Sequence, residues 1–147
     1  MDTTTHHFRS EPITPRKPFI CHICNIIPRA HSFQLIQVDE DGTNIYYTKP
    51  SAAVMYNNKR GILAHYDDTL NDKPEDAQWI WVFDAKDIEM KHLSEWSIAY
   101  GIAEIAEKHN VTLKKIIIQN ENWMLRALIT SISYVLASDL FYKIEYQ

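Results

Sequence analysis

Glycine is nearly missing from this chain, with three residues in 147. None stands in a GxGxxG or GxxxxGK run, which excludes the usual backbone loops that cradle nucleotide phosphates. Cysteine is scarcer still: Cys21 and Cys24 are the whole supply, and two thiols make no disulfide framework. No apolar run approaches the length needed to span a bilayer, and the N-terminus has no signal-peptide core. Charge of one sign is lacking as well. Fifteen Lys and Arg against nineteen Asp and Glu leave a net charge of -4 and a pI near 5.9, so no electrostatic footprint for nucleic acid is present. The expectation is a cytoplasmic protein with at most peripheral membrane contact. A G-x-S-x-G elbow is absent, and no Ser, His and Asp set has a spacing that singles it out. The chain is therefore expected not to be an enzyme.

What is present is an ordinary apolar fraction, 46% of residues, on a length that suits one domain with a real core. Residues 1–18 read as a flexible N-terminal arm, because Pro12, Pro15 and Pro18 forbid a regular element. Residues 19–147 read as a single domain. Within it, Phe33-Gln34-Leu35-Ile36-Gln37-Val38 and Asn44-Ile45-Tyr46-Tyr47-Thr48 flank the polar turn Asp39-Glu40-Asp41-Gly42, which predicts a β-hairpin. Pro50 suits the first turn of a short helix through Met55. The run Gly61-Ile62-Leu63-Ala64-His65-Tyr66 reads as a further strand, and 69–77, with Pro74, as a loop.

The second half carries the stronger signals. Gln78-Trp79-Ile80-Trp81-Val82-Phe83-Asp84 and Lys114-Lys115-Ile116-Ile117-Ile118-Gln119-Asn120 are apolar on both faces, as covered parallel strands are. Between them, Ile98, Ile102 and Ile105 beside Ala99, Ala103 and Ala106 predict a helix over about 93–109. Met124, Leu128, Ile132, Val135 and Leu136 predict another over about 121–137, with Asn120 as its N-cap. Residues 141–146 read as a closing strand. The fold class that follows is α/β: a mixed, mainly parallel sheet with helices packed on it, a βαβαβ C-terminal half and an N-terminal hairpin.

Three pieces of this half resemble the CRAL-TRIO lipid-binding domain. Ile80-Trp81-Val82-Phe83-Asp84 is similar to that family's apolar strand ending in Asp. Lys115-Ile116-Ile117-Ile118-Gln119-Asn120-Glu121-Asn122-Trp123 is similar to its K-x-Y-I-I-N-x-P-W segment. The stretch from Leu125 to Lys143-Ile144 is similar to the helix and closing K-I strand that follow. The resemblance is to a divergent, minimal member lacking the C-terminal gate helix. It implies non-catalytic binding of a hydrophobic small molecule or phospholipid, with no cofactor. Trp79, Trp81, Phe83, Leu113, Ile116 and Ile118 are then the candidate pocket residues. Side chains alternate along a strand, so Trp79, Trp81 and Phe83 share one face, and an apolar wall is what a lipid tail requires.

Two other readings stand beside it. On the same fold a filled pocket makes a protein–protein interaction module, as in a branch of that family found in regulators of Rho-type GTPases. A third is similarity to STAS-type regulatory domains, for which Ser94 is the placed candidate for phosphorylation. Among polar clusters, Cys21-His22-Ile23-Cys24 with His31 beyond and His6-His7 before is half a zinc motif. No second CxxC or HxxxH completes it, so metal-free thiols are expected, with Cys21, Cys24 and His31 the residues a metal would use. Asp84 is expected to anchor the loop after its strand. Arg126 and Lys86 are the cations near the strand ends, and His65, His92 and His109 read as loop or helix-end histidines.

Overall fold

The structure, a computed structural model, describes residues 21–147; the arm expected over 1–18 lies outside the described residues. The molecule is α/β, built on a five-stranded mixed sheet in the order β1-β2-β3-β4-β5. Strands β1 (Gln34–Val38) and β2 (Asn44–Thr48) pair antiparallel. From β2 onward every neighbour is parallel: β3 is Trp79–Asp84, β4 is Leu113–Gln119 and β5 is Ile144–Tyr146. The hairpin turn is where glycine is required. Gly42 has φ of 88° and donates its N–H to the Asp39 carbonyl at 2.9 Å, a conformation that costs an L side chain energy.

Among the described residues, α1 (His22–Ile26) precedes the sheet, and α2 (Lys59–Asn71), α3 (Met90–Leu93), α4 (Trp96–Lys108) and α5 (Trp123–Val135) connect its strands. Helix α2 replaces the strand expected over 61–66 and takes the first part of the loop expected over 69–77. Its cause is legible in hindsight. Asn58 caps it by accepting from the Gly61 N–H, and Ile62, His65, Tyr66, Thr69 and Leu70 recur on one buried face at helical spacing. The unbroken apolar run at 62–64 and the residues after it form the first half of that stripe. Elsewhere the differences are smaller. Pro50 opens a three-residue 3-10 turn rather than a helix reaching Met55. Helix α5 is capped by Asn122, whose side chain accepts from Leu125 N–H at 2.9 Å. Asn120, the expected cap, instead takes the left-handed region at φ 54° and gives its amide to Asp84. The closing strand is shortened, because Asp139–Lys143 form a 3-10 turn before β5.

Since the strands follow one another in chain order, crossovers of one hand place every connecting helix on the same face. Helices α2, α4 and α5 accordingly share one core with Trp79, Trp81, Ile116 and Ile118. Toward β1 this core is aromatic and tightly filled. Phe33 stacks on Tyr66 at 4.3 Å between centroids and on Tyr46 at 5.2 Å, and meets the edge of Trp81 at 5.9 Å. Such pairs contribute roughly 0.5–1.5 kcal/mol each beyond their burial. The buried indoles are satisfied: Trp79 Nε1 donates to the His109 carbonyl at 3.0 Å and Trp81 Nε1 to Thr48 Oγ1 at 3.2 Å. No helix among the described residues is long and apolar enough to cross a membrane.

Candidate functional site: an apolar cavity beside a cysteine–histidine cluster

Away from the aromatic end, the layer between sheet and helices is not filled. A half-open cavity of about 160 Å³ lies there. Its floor is the sheet: Trp81 and Phe83 on β3, Ile116 and Ile118 on β4, Ile144 on β5. Its walls are Ile98, Ile102 and Ala103 of α4 and Leu125, Ile129 and Ile132 of α5. The small alanines of α4 thin that wall, and β-branched isoleucines fill strand positions without reaching across the gap. Trp96 Nε1 donates to Ser131 Oγ at 3.1 Å and joins α4 to α5. Polar groups line one end: His31, Ser32, Thr48, Tyr56, His92 and Glu95. Thr48 Oγ1 is already engaged there, accepting from both Trp81 and Tyr66.

Four of the six residues expected to face a ligand therefore do line the cavity: Trp81, Phe83, Ile116 and Ile118. Trp79, at 0% exposure, and Leu113, at 3%, do not. Both sit at the N-terminal ends of their strands, where the sheet is packed solid against α4 and the turn after it. Sharing a face with Trp81 is a matter of strand alternation; lining the cavity also depends on height along the strand.

At the C-terminal end of the sheet, Asp84 gathers three donors. Tyr47 Oη donates to Oδ2 at 2.7 Å, and Asn120 Nδ2 and Lys86 N–H donate to Oδ1 at 2.9 and 3.0 Å. Burial pushes the acid's pKa up, but these bonds and the charge of Lys49 outweigh it and hold the carboxyl below its ordinary value. Asp84 thus anchors the following loop, as its place in the sequence implied. Arg126 is paired with Glu121 in two bonds of 3.0 and 3.1 Å and lies over the Tyr146 ring at 3.9 Å. Lys86 is exposed. Ser94 is exposed at the end of α3 and donates to the Lys91 carbonyl at 3.2 Å.

The second polar cluster is denser. Cys21, Cys24 and His31 come together, and a fourth residue joins them: His65, expected as a loop or helix-end histidine, is buried within α2. The donor atoms of all four lie within 4.8 Å of one another. Cys21 caps α1, its sulfur accepting the Cys24 N–H at 3.4 Å. His31 Nδ1 lies 3.7 Å from Cys21 Sγ and 3.8 Å from Cys24 Sγ, and His65 Nδ1 lies 3.8 Å from Cys24 Sγ. Burial lowers the pKa of both imidazoles, His31 also through its neighbour His65, and keeps them neutral. Burial likewise raises the Cys24 thiol. What the sequence hid was the helix: only with 59–71 helical does His65 turn inward toward the CxxC. Compared with known proteins, the chain matches no family model and no curated sequence.

Proposed function

We propose that this protein is a non-catalytic binding domain for a hydrophobic ligand, CRAL-TRIO-like in plan, which shelters an apolar group between its sheet and helices α4 and α5. The observation that carries the reading is the half-open apolar cavity floored by Trp81, Phe83, Ile116 and Ile118. Its size sets what it holds. About 160 Å³ is close to the roughly 150 Å³ engineered cavity that takes up benzene, and below the ~300 Å³ where sites for drug-sized ligands begin. The enclosed portion of a ligand is thus a short hydrocarbon segment, such as the end of an acyl chain, with the remainder at the open side. Burying about four methylene groups contributes on the order of 3 kcal/mol, enough for retention of a lipid only if its other end also finds contacts at the rim.

Organic extraction of the purified protein followed by mass spectrometry tests this directly. A co-purifying lipid, together with saturable uptake of a fluorescent fatty acyl probe that Ile129→Trp abolishes, is the expected result. Clean extracts and no uptake by the wild-type chain overturn it.

A second reading, a protein-interaction module, is supported by Trp123 and Tyr134. They are 74% and 86% exposed and eleven positions apart, three helical turns along one side of α5. Concentration-dependent light scattering that falls to the monomer value in Trp123→Ser supports it. A wild-type monomer at all concentrations, with no partner shifted by the substitution, counts against it.

A further inference from the structure

We propose that Cys21, Cys24, His31 and His65 bind one zinc ion, in a closed tetrahedral site that clasps the N-terminal turn of the domain to α2. Four lines converge on it, and none depends on what the cavity holds.

The first is distance. With Zn–S near 2.3 Å and Zn–N near 2.0–2.1 Å, the edges of a tetrahedral Cys2His2 site measure about 3.4–3.8 Å. Three of the four sulfur-to-nitrogen separations are 3.7, 3.8 and 3.8 Å, and all four donor atoms lie within 4.8 Å of one another. A small inward movement of the side chains brings them onto the coordination sphere of one ion.

The second is tautomer. His65 Nε2 lies 2.7 Å from the Phe33 carbonyl, which can only accept, so Nε2 carries the ring proton. The lone pair is then on Nδ1, the atom facing Cys24. A histidine oriented for a metal by a backbone carbonyl on its other nitrogen is the common second layer of a zinc site. Because Phe33 immediately precedes β1, the ion would be referred through His65 to the sheet itself. On His31, Nε2 lies 3.4 Å from the Asn58 side-chain nitrogen, whose amide oxygen is held by the Gly61 N–H; metal binding at Nδ1 puts the ring proton on Nε2 and requires the Asn58 NH2 to move away from it.

The third is charge. Two thiolates and two neutral imidazoles balance a divalent cation, so the loaded site carries no net charge, which lowers the cost of its partial burial. Loading releases the two thiol protons to solvent.

The fourth is the donor set. Sulfur and imidazole favour zinc over calcium or magnesium, and four protein ligands leave no open position, which marks a structural ion rather than a catalytic one. The spacing explains why the motif is only half visible: two ligands lie in α1 and its cap, one before β1, and one in a helix beyond the hairpin.

The full chain, purified under reducing conditions with zinc supplied, tests the proposal by metal analysis and by cobalt substitution. One zinc per chain is expected, released by thiol alkylation. Cobalt(II) is expected to give the intense visible absorption of a tetrahedral ion together with sulfur-to-cobalt charge transfer. Cys24→Ser and His65→Ala should weaken metal binding at least tenfold, whereas His92→Ala, outside the cluster, leaves it intact. If the ligand variants do not fold, the wild-type cobalt spectrum decides. An octahedral spectrum, less cobalt bound than by the His92→Ala control, no bound metal with both thiols free, or a Cys21–Cys24 disulfide as the resting form in zinc-supplied protein would each overturn the assignment.

Discussion

The phenol of Tyr47 donates to Asp84 at 2.7 Å, joining the C-terminal halves of two adjacent parallel strands through their side chains. Burial, followed by this bond and the carboxylate's charge, pushes the Tyr47 pKa up to about 12, while Asp84, held by its three donors, lies low. A carboxyl whose pKa is depressed on folding adds stability above the unfolded value of about 3.9, and that stability is lost as pH falls through the lower folded value. The urea midpoint of the wild type should therefore drop below about pH 4. Asp84→Asn should cost roughly 2 kcal/mol at neutral pH and flatten that acid limb. An unchanged limb in the variant would place the acid sensitivity elsewhere.

Trp79 and Phe83 lie on one face of one strand, yet only Phe83 lines the cavity. Phe83→Ala should enlarge the cavity and shift uptake toward bulkier apolar probes. Trp79→Phe should leave uptake unchanged and lower stability by about 1–3 kcal/mol, since it empties part of a filled site and strips the His109 carbonyl of its donor. Probe titration and chemical unfolding, run on both variants, separate the two effects.

Lys143 is a structural cation. Its Nζ donates to the Asn110 carbonyl, the Asn110 side-chain oxygen and the Leu113 carbonyl at 2.8, 2.7 and 2.7 Å, fastening the turn before β5 to the start of β4. Lys143→Met keeps the stem and removes the donors, so a loss of about 2–3 kcal/mol is expected. Hydrogen exchange should show that loss in β5 first, as β5 is a three-residue strand at the edge of the sheet.

Gly61 sits where α2 passes the cluster, and a methyl added there would meet His31 Nε2 at 2.9 Å as well as the Asn58 amide. Alanine is the better helix former by about 1 kcal/mol. Gly61→Ala should therefore leave metal-free stability little changed while weakening cobalt binding about tenfold, or 1.4 kcal/mol at 25 °C. Equal cobalt affinity in the two proteins would show that His31 moves freely.

Sheet and site were not equally legible in the sequence. The hairpin and helices α4 and α5 could be read because each combines a period with turn or cap residues at its ends, and β3 and β4 because each is a short apolar run bounded by polar residues. Helix α2 misled because Ile62, Leu63 and Ala64 follow one another without a polar break, and its deciding residues, Thr69 and Leu70, lie in the stretch that Pro74 marks as a loop. The consequence for the cluster is direct: a strand over 61–66 does not bring His65 to Cys24, whereas helix α2 does. The cavity was half legible. Alternation identifies a face, but which rungs of that face stay uncovered depends on how far apart α4 and α5 sit, and no local pattern encodes that separation.

The two outermost strands have one further consequence. β1 is interrupted by a bulge between Leu35 and Gln37, and β5 is only three residues long. A flank that is kinked and a flank that is stunted offer another copy no straight ladder to extend. Although its central strands are as greasy as those of many fibre-forming peptides, this polypeptide is expected to build no fibres by strand addition when concentrated, giving no thioflavin response for as long as it remains folded.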